Sequence, residues 1–273
     1  MTRGINPIYS GKRKDFNWAG FGSGKGTNIR ECAKLMKPSL IFSDRPEAEL
    51  LTLEELAGVP KIVLDGFKAC GSWKKAVGKP EVEKEYKKKS FDYNFQILQV
   101  FKEFEDTEGI SIDLIVLGGY MRLLGSPILN AYKDKIINVH PADLSILSEK
   151  HKRLYIGEDA VKDAILAGKN NTRSSVIIVD EKTDHGEILV QGPSLENYRF
   201  LHKPMTLEQY SLEHQQAQKE VSDWPALTTA LDMIADSRLA LGKNKYFFNE
   251  WRRVYLDGKP LGYQGYQLLE DEK

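Results

Sequence analysis

Along the first half of the chain, short apolar runs alternate with stretches of helical spacing. "FNWAGFG" (16–22) reads as a strand entering a glycine-rich turn, and "TNIRECAKLMK" (27–37) puts Ile29, Cys32, Ala33 and Met36 on one helical face. Strands are predicted over 39–44 and 60–65, with a helix between them over 47–58 that Gly58 closes. The strongly basic stretch 66–90, which carries Gly71, Gly78, Pro80 and three lysines at 87–89, reads as a surface excursion. A long helix follows over 91–106, and "DLIVLGGY" (113–120) has the unbroken apolar run of a strand buried on both faces.

The second half predicts a short helix (127–134), a strand (135–140), a helix (157–168) and two strands, 174–180 and 186–193, joined by a turn. After Leu195 the spacing becomes helical over 206–223 and over 225–239, where Pro225 opens the second helix. Residues 246–266 read as strands around the "DG" pair at 257–258. Strand, glycine turn, helix is the opening of a doubly wound sheet. The pattern therefore predicts an α/β fold, a Rossmann-like doubly wound and mostly parallel sheet. One domain is expected over 1–273, its core at about 15–195 and the helices and strands of 196–273 packed on that core.

Composition narrows the functions. Hydrophobic residues at 41% and charged residues at 29% are an ordinary globular balance, and 39 basic against 39 acidic residues leave no global field toward nucleic acid or membrane. No apolar run approaches the ~20 residues that span a bilayer, and the opening "MTRGINPIYSGKRKDF" has no apolar signal core. Cys32 and Cys70 match no metal spacing and read as free thiols in a reducing compartment. The expectation is a cytoplasmic protein without nucleic-acid or membrane partners and without a metal.

Ligands of open α/β sheets bind beyond the carboxyl ends of the strands, and three features converge there. In "GFGSGKGTN" (20–28), Gly26 separates Lys25 from Thr27, which excludes a Walker loop, and glycines at every second position exclude G-x-G-x-x-G. Its backbone N–H groups and the following helix N-terminus suit an anion; a tight turn without a ligand is the plain alternative. In "INVHPADL" (137–144), Asn138 and His140 are two apart and point the same way from an extended segment. An amide donor beside an imidazole stabilises an oxyanion and moves a proton; a polar pair bonded to a neighbouring loop is the alternative. In "VDEKTDHGEI" (179–188), Asp180 and Asp184 lie in a turn, and a carboxylate reaching His140 would set its tautomer and favour its protonated form. Turn-forming aspartates are the alternative. His185 reads as a surface turn residue, and His151, His202 and His214 show no metal spacing.

Taken in order, these segments resemble the phosphoribosylglycinamide formyltransferase family, folate-dependent enzymes of purine synthesis. "SGKGTN" (23–28) is similar to the family's phosphate loop, "GGYMRLL" (118–124) to G-F-M-R-I-L, and "NVHP" (138–141) to N-I-H-P. "SSVIIVDEKTDHG" (174–186) follows T-S-V-H-x-V and D-G-G, while "EVSDWP" (220–225), "IADSRL" (234–239) and "LDGKPLGYQGY" (256–266) resemble the later motifs. The resemblance implies 10-formyltetrahydrofolate as donor and a small phosphorylated primary amine as acceptor, glycinamide ribonucleotide first among candidates. It carries phosphate contacts onto Gly26, Thr27 and Asn28, and a ribose contact onto Glu220. The donor falls on Met121, Arg122, Leu123 and Leu124, largely through backbone atoms, with the pterin near Asp180 and Glu181. Asn138 and protonated His140 would stabilise the oxyanion, while Asp184 holds His140 charged and assists proton transfer to the leaving folate nitrogen. A homodimer is compatible with this reading.

The departures bear on the acceptor. H-P-S-L-L-P becomes "HPADLSILSEKHKRLYIG", with Asp143 close to His140; Ile177 replaces a histidine, and Ala217 stands where a polar phosphate contact is expected, flanked by Gln216 and Gln218. Another amine acceptor, hydrolysis of 10-formyltetrahydrofolate, or a non-catalytic folate- or nucleotide-binding regulator are the competing readings. The related hydrolase carries a regulatory domain before its transferase-like part, and with only residues 1–15 ahead of the first strand none is expected here. Binding alone does not require Asn138, His140 and Asp184 together.

Overall fold

The computed structural model describes residues 4–198, 205–246 and 250–269. By its contacts the chain divides into two compact units, one of Phe16–Ile136 and one of Met1–Asp15 with Ile137–Lys273. His202 and the 247–249 part of the terminal strand reading lie outside the described residues.

In the Phe16–Ile136 unit, strands Lys61–Val63, Leu40–Ser43, Trp18–Phe21 and Leu114–Leu117 lie side by side in that order, all parallel. Every residue of the last three is buried, as parallel strands covered on both faces require. Phe21 and Phe42 stack at 4.6 Å, and Phe101 closes on them at 5.2 and 6.0 Å. Burying side chains of this size contributes about 1.5–3 kcal/mol each.

Phe101 belongs to a helix that runs Pro80–Glu108, so the helix begins well before 91 and absorbs part of the expected surface excursion. Its buried residues, Tyr93, Asn94, Ile97, Phe101 and Glu105, start at the middle of the helix and continue at three- and four-residue spacing. The first half has no apolar stripe; good helix formers carry it, with ion pairs Glu83–Lys87 and Glu85–Lys89 one turn apart. Short helices Gly66–Cys70 and Trp73–Ala76 precede it.

The helix expected over 47–58 is instead two 3-10 turns, Glu49–Thr52 and Glu54–Leu56, broken by extended Leu53. Leu50 and Leu56 are both fully buried. Six residues apart, they would lie about 120° apart around an α-helix, whereas the break at Leu53 lets each turn bury its own leucine.

In the other unit, Tyr266–Gln267, Ile188–Gln191, Ser175–Ile178 and the Ile137–His140 part of a strand lie in that order. Ser175–Ile178 is antiparallel to both neighbours, and Tyr266–Gln267 is parallel to Ile188–Gln191. A second, antiparallel sheet orders Ile5–Pro7, Leu239–Lys245, Arg252–Leu256 and Lys259–Pro260. The helix expected to reach 239 stops at Ala235, and Ser237 at φ 57° turns the chain into the buried strand start Leu239–Gly242. The "DG" turn forms as expected, with Asp257 and Gly258 both at positive φ (50° and 76°), the two-residue hairpin geometry.

Helices Leu207–Gln218 and Trp224–Ala235 are joined by a π-helical turn, Lys219–Asp223. The first opens on a reciprocal cap between Thr206 and Gln209. Among the described residues no helix is long and apolar enough to cross a membrane.

Candidate active site

The glycine loop joins Trp18–Phe21 to the helix Thr27–Leu35. Gly26 caps that helix at φ 66° without a side-chain hydrogen bond. A Cβ there would stand 2.4 Å from Leu50, and one at Gly22 would stand 2.7 Å from it, whereas Gly24 faces open space. Packing against Leu50 therefore accounts for two of the glycines. What remains for a ligand is the helix start, whose first N–H groups have no intrahelical acceptor. Asn28 is buried there and its Oδ1 has no hydrogen-bond partner.

Ser23 ties this loop to the 118–124 segment. Its hydroxyl donates to Asp44 Oδ1 and accepts the Met121 N–H at 2.9 Å. Arg122 Nε donates to the other Asp44 oxygen at 2.9 Å, and its guanidinium lies 5.9 Å from the Tyr93 ring centre. Asp44, buried, thus orders both segments. The Arg122 side chain and the Met121 N–H are engaged within the protein, whereas the Met121 and Leu123 side chains are 60% and 64% exposed and Leu124 is partly exposed.

In the other unit, Asn138 and His140 sit on one face at the end of Ile136–His140, opposite Ile177 and Ser175. Ile177 is buried in a cluster with Leu144 and Ile188, so the residue in place of a family histidine serves the core. His140 is also buried. Its Nε2 lies 3.0 Å from the Tyr155 carbonyl, which only accepts, and this places a proton on Nε2. Nδ1 faces Asp184 Oδ1 at 3.4 Å. Asp184 Oδ2 accepts the Gly157 N–H at 2.8 Å.

Burial pushes the His140 imidazole below its ordinary value; the Asp184 carboxylate and the Tyr155 carbonyl raise it, Arg153 lowers it, and the net direction is down. Asp184 favours the charged ring as expected, but desolvation outweighs it in the protein alone. With one proton held on Nε2, the proton that charges the ring adds at Nδ1, facing Asp184 Oδ1. Asp143 is turned away from this chemistry: its Oδ1 accepts from the Ser145 N–H and hydroxyl and from Gln191 Nε2, an Asx-type turn.

The turn bearing Asp184 also holds Asp180, half-buried, and Glu181, exposed. His185 Nδ1 meets Asp180 Oδ2 at 2.6 Å and Nε2 meets Glu250 Oε1 at 3.0 Å, so His185 is more than a surface turn residue. Hydrogen bonding to Asp180 raises the His185 pKa, with Glu250 adding to it; at Asp180 burial pushes the pKa up, but the His185 contact together with the Lys182 N–H and the nearby positive charges holds it low.

Glu220 is exposed on the π-helical turn. Gln218 is fully buried between Thr172 and Ser174, so it cannot replace the contact missing at Ala217; Gln216 is exposed. Ser174 also engages Ser222 and Asp223, which fixes the π-helical turn. Arg153, Tyr155 and Gly157 around the His140–Asp184 pair escaped the sequence reading, because their run "EKHKRLYIG" has the composition of a solvated loop.

The chain belongs to the formyl transferase family, whose profile matches residues 21–195. Among individual relatives, it is 24% identical over 251 residues to phosphoribosylglycinamide formyltransferase of Haemophilus influenzae, covering 89% of this chain and 95% of that one. The Bacillus subtilis protein of the same name is 29% identical over 181 residues, 64% of this chain and 76% of its own. The solved phosphoribosylglycinamide formyltransferase of Coxiella burnetii superposes with a TM-score of 0.62 at 22% identity, over 93% of this chain and 99% of that one. The fold is thus the formyltransferase fold.

Proposed function

We propose that this formyltransferase moves the formyl group of 10-formyltetrahydrofolate to the primary amine of glycinamide ribonucleotide. The observation that carries the reading is the buried His140–Asp184 pair, with Asp184 fixed by the Gly157 N–H and His140 by the Tyr155 carbonyl. A buried imidazole whose free Nδ1 faces a carboxylate suits a reaction that takes a proton from an amine and delivers it to a leaving nitrogen. The names of relatives that match nearly their full length support the acceptor.

The amine nitrogen bonds to the formyl carbon and the formyl oxygen becomes an oxyanion, stabilised by the Asn138 amide and by His140 when protonated. Collapse re-forms the carbonyl and breaks the bond to the folate nitrogen. His140 and Asp184 take the amine proton and return it to that nitrogen. Thr27, Asn28 and the Gly26 backbone take the nucleotide phosphate region, and Glu220 the ribose. The unpartnered Asn28 Oδ1 supports a ligand that brings a donor, an N–H or hydroxyl of the nucleotide rather than its phosphate, since an unmet buried acceptor costs about 1–3 kcal/mol. The exposed Met121 and Leu123 side chains, with Arg122 and Leu124, serve the folate, and Asp180 and Glu181 the pterin.

Incubation with both substrates and mass analysis of the nucleotide tests the acceptor. Formylated glycinamide ribonucleotide is expected; unmodified nucleotide beside consumed donor would refute it.

A further inference from the structure

The side chain that holds the Asp184 turn comes from the loop where the chain departs from its family pattern. Arg153 is 9% exposed, a strongly buried cation. Its Nη1 donates to the main-chain carbonyl of Asp184 at 2.5 Å and its Nη2 to that of Gly186 at 2.9 Å. Nε donates to the Tyr263 hydroxyl at 2.9 Å. The guanidinium carbon lies 4.9 Å from the Trp251 ring centre and 5.7 Å from that of Tyr263. Among the described residues no carboxylate forms an ion pair with it.

A buried charge is tolerated when its donors are met, and here carbonyl dipoles and ring faces meet them. Two prongs of one rigid fork grip carbonyls on either side of His185. Asp184, which carries the first of these carbonyls, is held at φ 48°, a conformation a non-glycine residue keeps only when its surroundings impose it. The Trp251 indole N–H donates to the His185 carbonyl, so three consecutive carbonyls of the turn are held by this cluster.

We propose that Arg153 is a positioning residue for formyl transfer: it fixes the Asp184 turn so that the carboxylate meets His140, and it makes that geometry depend on Trp251 and Tyr263. The proposal rests on the formyl-transfer reading of the His140–Asp184 pair, and its test separates the two. The charged groups facing His140 are Asp184, which raises its pKa, and Arg153, which lowers it less. Loss of the Arg153 charge alone would therefore raise the His140 pKa, whereas loss of Asp184 from its place lowers it.

The experiment compares the full chain with Arg153→Met, Arg153→Lys and Tyr263→Phe, by steady-state kinetics on both substrates and by NMR titration of His140. Arg153→Met is expected to lower kcat about 10²-fold, the usual cost of a misplaced catalytic group, with the KM values nearly unchanged and the His140 pKa lowered. Arg153→Lys keeps the charge but cannot span both carbonyls, and recovers only part of kcat. Near-normal kcat, or a His140 pKa that rises or stays fixed in Arg153→Met, overturns the proposal. Should Arg153→Met not fold, Tyr263→Phe decides, since it keeps the ring and removes one acceptor: kcat and the His140 pKa both fall, or the proposal fails. A wild-type protein inactive on glycinamide ribonucleotide would refute the acceptor alone, and the direction of the His140 shift would still decide the role of Arg153.

Discussion

His140 and Asp184 face each other across 3.4 Å with their other polar atoms already committed, Nε2 to the Tyr155 carbonyl and Oδ2 to the Gly157 N–H. The proton that charges the ring therefore adds at Nδ1, against Oδ1. This relationship sets the expectations for both residues.

Asp184→Asn removes the charge that favours protonated His140 and leaves burial unopposed by it. The His140 pKa, already below its ordinary value, is expected to fall further, and turnover with it. A histidine NMR titration checks the shift; an unchanged His140 pKa would dissolve the pairing.

Asn138 lies on the same strand face as His140 and is the oxyanion donor of the proposed transfer. Asn138→Ala is expected to reduce kcat by roughly 10²–10³-fold, as loss of one such donor does, with little change in KM for the folate. Near-normal turnover would remove Asn138 from the mechanism.

His185 bridges Asp180 and Glu250, and its pKa is raised in the folded protein. Its contribution to stability is therefore complete below its ordinary value of about 6.5 and is lost as pH rises through the folded value. The Tm deficit of His185→Gln should be larger near about pH 6 than near about pH 9. A deficit independent of pH would show that the bridge does not stabilise through the charged ring.

The glycine loop separates packing from ligand binding. Gly26→Ala meets Leu50 and holds φ 66°, and is expected to cost about 2–4 kcal/mol, whereas Gly24→Ala, facing open space, should stay within about 0.5 kcal/mol. Urea denaturation midpoints check both. Equal losses would mean that Leu50 does not constrain the loop.

Much of the fold was legible because its signals are local. The buried parallel strands appear as unbroken apolar runs, and the Asp257–Gly258 turn as a residue pair suited to positive φ. The start of the Pro80–Glu108 helix was hidden because its Lys- and Glu-rich first half has no apolar face. The strand Leu239–Lys245 was hidden because its register is set by Ile5–Pro7 and Arg252–Leu256, distant in sequence. Asn138, His140, Asp180 and Asp184 were readable as motif residues. Arg153 and the His185 bridge were not, since each depends on partners in the C-terminal strands and loops, Trp251 and Tyr263 for one and Glu250 for the other.

The most direct test is the initial rate of tetrahydrofolate release from 10-formyltetrahydrofolate, followed by absorbance with and without glycinamide ribonucleotide. Turnover that requires the nucleotide is the predicted result. Equal turnover without any amine would contradict it and assign the same His140–Asp184 pair to hydrolysis.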